Sequence, residues 1–393
     1  MSDAIVIVGA ARTPMGAFQS DFSSLTASQL GAVAIRAAVE RAGVKPELVE
    51  EVLFGNCLMA GHGQAPARQA LLAAGLPVST GAVTLSKMCG SAMKTTMMAY
   101  DAIMAGGNEV LVSGGMESMT NAPYLIPKAR GGYRIGHGMM YDHMMLDGLE
   151  DAYDKGRSMG TFAEECATKY SFTREEQDAF AIASVKRAQN AQNEGKFDWE
   201  IAPVTVSGRG GDTVISKDEG PLKAKLDKIP ALKPAFKKDG TITAASSSSI
   251  NDGAAALVLM KESKARELGL TPLARIAGHA SHAQEPGWFT TAPVGAMQKL
   301  FAKTGWDVDS VDLFEINEAF AAVPMAAMRE LNIPHEKVNV HGGACALGHP
   351  IGASGARIIV TLIGALRQYG KKRGVASLCI GGGEGTAVAI ELI

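Results

Sequence analysis

The chain has 393 residues, of which 47% are hydrophobic and 20% are charged, and its formal net charge is −2 at pH 7. This length predicts two or three domains, and the composition is typical of a globular protein, not of a disordered one. The small negative charge argues against nucleic acid or a membrane surface as the main partner.

The cysteines are few and scattered. They lie at positions 57, 89, 166, 345 and 379, form no CxxC pair and share no metal-ligand spacing with the eight histidines. Such a set is typical of reduced thiols in the cytosol. The first residues have no features of a leader, and no apolar run is long enough to span a bilayer. We therefore expect a cytoplasmic protein without a metal site.

Strands and helices alternate in the first part of the chain. Strands are predicted at 4–9, 52–56 and 109–113, and helices at 26–41, 65–74 and 91–105. This alternation indicates an α/β fold with a mostly parallel sheet that is covered on both faces.

The C-terminal part repeats this order. Gly43 and Gly305, which are 262 residues apart, each stop a helix that is followed by a strand. The Gly-rich segment 381–385 resembles 114–117, and the last strand, 386–390, has its counterpart at 254–259. The chain therefore contains two copies of one α/β unit.

The repeat predicts an insertion. In copy two the last strand directly follows the Gly-rich segment, whereas copy one has about 130 extra residues, roughly 119–248, at this point. An insertion at the carboxyl edge of a sheet is well placed to cover a ligand, although a passive surface excursion is the alternative. We predict an N-terminal half (1–118 plus 249–270), a loop domain (119–248) and a C-terminal half (271–393).

Cys89 is predicted to lie at a strand-to-helix turn. The helix N-terminus there would favour a thiolate, and hence a nucleophile, although a buried structural cysteine is the alternative. His349 follows 260 residues later, at a near-equivalent turn of copy two. Pseudo-twofold packing of the halves would bring the two turns together. The imidazole could then activate the thiol, or it could serve as a structural hydrogen bonder.

Two further polar side chains end buried strands of copy two. Cys379 precedes glycines whose backbone N–H groups can form an oxyanion site, and its thiol could transfer a proton or belong to the core. Asn317 could hold a water or donate to an oxyanion, or it could cap a helix.

Four segments resemble the signature blocks of the thiolases, most closely those of the acetyl-CoA acetyltransferases. They are MCGS around Cys89, NEAF at 317–320, GGACALGHPIGASG at 342–355 and CIGGGEG at 379–385. The resemblance covers the whole chain. It implies a duplicated thiolase fold, with two βαβαβαββ halves in α/β/α/β/α layers and a loop domain over the coenzyme A (CoA) site.

The resemblance also implies a reaction. Cys89 would be acylated by acyl-CoA as His349 takes its proton, and Cys379 would deprotonate a second acetyl-CoA, giving acetoacetyl-CoA. Asn317, through a water, and His349 would form one oxyanion site, and the N–H groups of Cys89 and Gly381 would form the other. The reverse reaction is thiolysis.

Substrate contacts are implied by the same resemblance. Ser248, Leu149, Met159 and Phe320 would lie along the pantetheine and acyl groups, and lysines between 217 and 238 could meet the CoA phosphates. CoA thioesters would be substrates, with no tightly bound cofactor. The chain would act in fatty acid metabolism as a homo-oligomer, a dimer or a homotetramer.

Three alternatives follow from the motifs. A degradative 3-ketoacyl-CoA thiolase with longer substrates is the nearest. A ketoacyl synthase is disfavoured because it lacks the second cysteine, and a silent CoA-binding relative is disfavoured because no block is missing.

Several positions depart from the family pattern. Ala92 replaces a usual glycine, and its methyl group could crowd the turn and lower activity. His341 and Cys345 differ from the commoner Asn and aliphatic residues, Ser158 stands where many short-chain enzymes carry His, and Trp288-Phe289 stands for Val-Met. These departures bear on acyl-chain preference, not on the reaction class.

Overall fold

The computed structural model describes residues 3–393. The strands are β1 (Ile5–Arg12), β2 (Gly16–Ala17), β3 (Glu51–Gly55), β4 (Gly81–Leu85), β5 (Val110–Ser118), β6 (Tyr124–Leu125), β7 (Tyr141–Asp142), β8 (Val204–Gly208), β9 (Gly211–Ile215), β10 (Asn251–Lys261), β11 (Ala274–Ala283), β12 (Leu313–Ile316), β13 (Arg373–Ile380) and β14 (Glu384–Leu392). The α-helices are α1 (Ala27–Ala42), α2 (Pro66–Ala73), α3 (Ser91–Met104), α4 (Met159–Lys169), α5 (Arg174–Asn193), α6 (Glu219–Lys223), α7 (Glu262–Glu267), α8 (Ala292–Thr304), α9 (Ala322–Leu331), α10 (Ala344–Leu347) and α11 (Ser354–Gln368).

The main sheet runs in the order β12-β13-β14-β11-β1-β10-β5-β3-β4, and β2 pairs with β10. The halves join where β1 and β11 pair antiparallel through Val6–Arg275 and Ile7–Ala274. Among the strands of residues 3–393, parallel pairing occurs only between β3 and its neighbours and between β12 and β13. The prediction of a mostly parallel sheet is therefore wrong. A strand such as β14, which follows its neighbour without a crossover helix, must run antiparallel to it.

Three apolar clusters define the layers. Helices α1 and α2 pack on the outer face of the first half, and α8 and α9 pack on the outer face of the second. Helices α3 and α11 lie between them and contact strands of both halves. From Ser354 to Leu366, every residue of α11 is buried. The N-termini of the two central helices, which follow Cys89 and His349, therefore share the middle layer.

The two copies match closely at their helix ends. Gly43 and Gly305 cap α1 and α8 in the same left-handed conformation, with φ of 68° and 70°. Strands β5 and β13 begin 263 residues apart. This offset aligns Glu117 with Ile380. Segments 114–117 and 381–385 therefore do not occupy equivalent positions in the two copies, although we expected that they would. The first lies inside β5, whereas the second comprises the turn 381–383 after β13 and the first two residues of β14.

The connection between β5 and β10 is long. These strands are direct neighbours, yet residues 119–250 lie between them in the chain and carry β6–β9 and α4–α6. Their counterparts β13 and β14 are joined by residues 381–383 alone.

Within residues 3–393, no helix combines the length and the apolar character that crossing a bilayer requires.

Candidate active site

Cys89 lies on a sharp turn between β4 and α3. Met88, just before it, has a φ of 48°, a left-handed conformation that is uncommon for a residue with a side chain. The hydroxyl of Ser91 stabilises the turn, since Oγ donates to Met88 O at 2.6 Å and accepts from the N–H of Lys87 at 2.8 Å. A Cβ added to Gly90 would lie 2.3 Å from Ile380 Cδ1, so this turn packs directly on the second half.

Burial controls the ionisation of Cys89. It raises the pKa of the thiol to about 11, although hydrogen bonds from the N–H groups of Gly381 and of Cys89 itself act in the opposite direction. The helix N-terminus predicts a thiolate at Cys89, whereas burial of the thiol favours its protonated form. Removal of the sulfur from water outweighs the stabilisation that the N–H groups supply. With this raised pKa, the Cys89 thiol would need a base before it could act as a nucleophile.

Cys379 lies beside Cys89. It is near the end of β13 and is fully buried. Burial raises the pKa of its thiol well above the usual value, and the neighbouring Cys89 raises that pKa further. The chain then turns through Gly382 and Gly383, whose φ values of 95° and 90° favour glycine. The sequence-predicted pair of thiols and the Gly381 N–H are thus brought together.

His349 follows the short helix α10 and Gly348, whose φ is 95°. It therefore does not directly follow a strand as we predicted. Among residues 3–393, the counterpart of β4 in the second half is reduced to a single bridge between Phe314 and Val338. The imidazole is nevertheless just before the central helix α11, as Cys89 is before α3.

The hydrogen bonds of His349 define its tautomer. The Ser354 hydroxyl donates to Pro350 O at 2.9 Å, so it must accept the proton of His349 Nδ1, which lies 2.6 Å away. Nε2 therefore carries the lone pair. Burial, together with the charge of Arg357, lowers the pKa of His349 to about 3, which keeps the imidazole neutral.

Asn317 lies against His349. Its Nδ2 is 3.5 Å from each ring nitrogen, and its backbone N–H donates to Ser377 O at 3.0 Å. Its buried Oδ1 has no hydrogen-bond partner within the described chain. The next helix, α9, begins only at Ala322 without a side-chain cap, so the N-cap alternative for Asn317 is wrong.

Several residues that we expected to lie along the substrate are close to the cluster of Cys89, Cys379, His349 and Asn317. Leu149 packs in an apolar cluster with Ile351 and Cys89. Met159 and Phe320 pack in the cluster of Cys379, and Phe320 meets Phe236 edge to face at 5.8 Å. A further backbone hydrogen bond joins the N–H of Ser248 to Ala319 O at 2.9 Å. Of the lysines between 217 and 238, Lys223 pairs with Glu219 at 2.6 Å.

Sequence reasoning missed a buried carboxylate, Glu117, which connects the turns that carry Cys89 and His349. One of its oxygens accepts from Asn56 Nδ2 (2.6 Å) and the N–H of Leu58 (3.1 Å). The other accepts from the N–H groups of Cys57 (3.0 Å) and Gly352 (2.9 Å). Cys57 Sγ in turn donates to Met88 O at 3.1 Å. The signal was a charged residue inside a buried strand, because such a residue needs several partners.

Glu318 is a second buried carboxylate, and its hydrogen bonds hold the loop before His349 in place. It accepts hydrogen bonds from Ser184 Oγ (2.7 Å), Asn339 Nδ2 (2.8 Å) and the N–H of Cys345 (3.0 Å). Because Ser184 lies on α5, this carboxylate also fixes the long connection to the second half.

Ala92 is fully buried at the start of α3. A Cβ built on Gly115 would lie 2.9 Å from its methyl group, so the methyl group faces the bare backbone of a glycine. The space next to Ala92 is available because Gly115 has no side chain.

Comparison with known proteins identifies the family. Residues 5–263 match the family described as "Thiolase, N-terminal domain", and residues 270–392 match "Thiolase, C-terminal domain". The chain belongs to the thiolase family. Two relatives of this thiolase are "Acetyl-CoA acetyltransferase 2" of Arabidopsis thaliana, 51% identical over 99% of this chain and 97% of that protein, and "Acetyl-CoA acetyltransferase" of Cupriavidus necator, 50% identical over 98% and 99%.

Solved structures give the same result. The acetyl-CoA acetyltransferase of Bacillus anthracis superimposes with a TM-score of 0.97 at 42% identity, covering 100% of this chain and 99% of that one. A thiolase from Ascaris suum in complex with coenzyme A gives 0.93 at 43% identity, covering 99% and 100%. The predicted α/β thiolase fold and the acyltransferase family are confirmed.

Proposed function

We propose that this thiolase is an acetyl-CoA C-acetyltransferase that condenses two acetyl-CoA into acetoacetyl-CoA and CoA through an acetyl-Cys89 intermediate. The observation that carries the proposal is the Gly381 N–H on the Cys89 thiol, with a second, fully buried thiol, Cys379, beside it. The names of the full-length relatives support acetyl-CoA as the substrate.

In the first half-reaction, Cys89 Sγ attacks the thioester carbonyl of acetyl-CoA. His349 Nε2 accepts the thiol proton, because the hydrogen bond to Ser354 leaves its lone pair available. The tetrahedral oxyanion accepts from the N–H groups of Cys89 and Gly381, which also stabilise negative charge on the sulfur. CoA then leaves and takes the proton, and the acetyl group stays on Cys89.

In the second half-reaction, Cys379 gives its proton to His349 Nε2 and, as a thiolate, removes a proton from the methyl group of a second acetyl-CoA. The enolate oxygen accepts from His349 and from a water held by Asn317, whose Oδ1 is a buried acceptor free of protein partners within residues 3–393. The carbanion attacks the carbonyl of acetyl-Cys89, the carbon–sulfur bond breaks, and the released Cys89 thiolate takes the proton back from His349. In the absence of substrate both thiols are protonated, so proton transfer to a base accompanies each step.

The long connection, 119–248, acts in this proposal as the loop domain over the CoA arm, between the halves 1–118 plus 249–270 and 271–393. In this proposal, Leu149 and Met159 of the loop domain make apolar contacts with the acyl group of the substrate, next to Phe320. Ser248 would meet the pantetheine arm. The CoA-bound relative of Ascaris suum supports CoA as the ligand.

We also place the enzyme in the cytoplasm and in fatty acid metabolism, as a homo-oligomer, either a dimer or a homotetramer. The scattered free thiols support the reducing compartment. Sedimentation at several concentrations would establish the oligomeric state.

Mass spectrometry of the protein mixed with acetyl-CoA tests the intermediate. We expect one acetyl group on Cys89 in the native chain and none there in Cys89→Ala. Cys166→Ala is the matched control, because Cys166 is buried in a separate apolar cluster and should leave the adduct unchanged. An enzyme that made acetoacetyl-CoA without an adduct on Cys89 would refute the proposal.

The degradative alternative is not favoured by the relatives. Thiolysis rates of 3-oxoacyl-CoA substrates of increasing length separate the two functions. We expect acetoacetyl-CoA to be cleaved fastest, and a preference for long chains would contradict the proposed substrate.

A further inference from the structure

A cavity of about 450 Å³ lies apart from the catalytic group. Its walls come from helix α5 and the residues after it, from Leu313 of β12, from the segment 336–341 and from the residues that follow α11. None of the residues placed in the reaction above lines it. The volume is in the range of small-molecule sites.

One wall contains a buried imidazole without a hydrogen bond. His341 is 1% exposed, and neither of its ring nitrogens has a partner among the residues that the structure describes. Nearly all buried polar groups in proteins are hydrogen-bonded, so each such group calls for an explanation. Burial, with a smaller contribution from Lys196, lowers the pKa of His341 to about 4. The neutral ring offers one N–H donor and one lone pair.

Aromatic rings hold His341 at the cavity wall. Phe197 meets it edge to face at 5.8 Å, and the ring of Tyr369 lies tilted over it at 5.5 Å. Tyr369 also lines the cavity and is 44% exposed. Rotation of this one side chain would open the ring nitrogens of His341 to a bound molecule.

The cavity also has excess positive charge. Arg187 donates to the backbone carbonyls of Val338 (2.7 Å), His335 (3.3 Å) and Asn339 (3.5 Å), and within residues 3–393 it forms no ion pair. Lys371 Nζ likewise has no hydrogen bond or ion pair in the described chain. Lys196 is neutralised by Glu194 at 2.8 Å, which leaves Glu336 as the one other carboxylate of the described lining.

We propose that this cavity is a second ligand site, which binds a small organic anion through Arg187 and Lys371 while His341 makes a hydrogen bond to the body of the ligand. The anionic group is a carboxylate or a phosphate ester, either of which a guanidinium and an ammonium recognise. The site is separate from the proposed condensation and does not depend on it.

Calorimetric titration with succinate and with glycerol 3-phosphate tests the proposal and distinguishes the two anionic groups. Saturating CoA is present throughout, so that a probe cannot be bound at the substrate site. We expect at least one probe to bind with a Kd below about 1 mM, as for a few charge-assisted hydrogen bonds. Lys371→Gln should weaken this binding by about tenfold or more. Lys372→Gln is the matched control, because Lys372 is an exposed neighbour outside the cavity lining and should leave Kd unchanged.

NMR of the histidine side chains gives an independent readout at His341 itself. His341→Asn identifies its imidazole signal, which should shift when the probe binds to the native chain, and the variant should bind at least about tenfold more weakly. Absence of binding by both probes up to about 10 mM would overturn the proposal. Binding that neither Lys371→Gln nor His341→Asn weakens would equally overturn it, because the probe would then lie elsewhere.

Discussion

The two halves of the molecule use one duplicated framework to hold two cysteines in different ways. Cys89 lies outside a strand, on a turn held by the left-handed Met88 and the Ser91 hydroxyl. Cys379 lies within a strand, one residue before β13 ends, and is fully buried. The strand offset of 263 residues aligns Cys379 with Met116 of β5, not with Cys89.

This difference shows that the duplicated framework determines where each cysteine lies, whereas the local backbone conformation determines the exposure and the pKa of its thiol. A turn leaves a sulfur accessible to a carbonyl and surrounded by N–H groups, which suits a nucleophile. A strand end inside the protein keeps a thiol out of water and raises its pKa, which suits a group that takes a proton only from a substrate bound beside it.

Substitution of each cysteine by alanine separates the two roles. We expect Cys89→Ala to lose both acetylation and condensation, and Cys379→Ala to lose condensation by at least about 10³-fold while Cys89 still becomes acetylated. Quenched-flow mass spectrometry with an acetoacetyl-CoA assay measures both steps. Loss of acetylation in folded Cys379→Ala would show that the second thiol also acts in the first half-reaction.

The pH dependence of alkylation tests the raised pKa of Cys89. Raising the pKa of the Cys89 thiol from 9.0 to about 11 lowers the fraction of thiolate at pH 8 by about 100-fold, because the sulfur keeps its proton up to a higher pH. The rate of modification by iodoacetamide at Cys89, mapped by mass spectrometry without acyl-CoA, should therefore still rise above pH 9. A small cysteine peptide is the reference. A midpoint below 9 would mean that the resting pair is a thiolate and an imidazolium.

Much of this arrangement could be predicted from residue order. The repeat, the turn at Cys89 and the buried strand at Cys379 follow from apolar periodicity and glycine positions, which depend on neighbours in sequence. The strand directions of the sheet, the tautomer of His349 and the partners of Glu117 depend on groups far apart in the chain. The raised pKa of Cys89 could not be predicted either, because burial is a property of the folded molecule.

Glu117→Gln would weaken the connection between the turns that carry Cys89 and His349. The carboxylate accepts four N–H groups, two on each oxygen, so the amide nitrogen of Gln would face two N–H donors. Leaving two buried donors unpaired should lower the free energy of unfolding by about 2–6 kcal/mol. Urea denaturation measures the change.

Glu384→Gln is the control for that experiment. Glu384 is partly exposed and pairs with Lys87 across the same two halves. A partly exposed ion pair contributes about 1 kcal/mol or less. If the two variants lost equal stability, the buried network around Glu117 would not be what fixes the turns.

Ala92→Gly gives the smallest expected effect and decides whether the methyl group crowds the nucleophile turn. Because that methyl group faces the bare backbone of Gly115, the structure offers it room, and we expect the rate and chain-length range of thiolysis to stay unchanged. Stability should fall by about 1–2 kcal/mol, since glycine weakens the start of α3 and a buried methyl is lost. Urea denaturation and thiolysis assays with short and longer substrates measure the two quantities separately. A gain in rate or in substrate length would show that the methyl group does restrict the pocket, as the departure from the usual glycine first suggested.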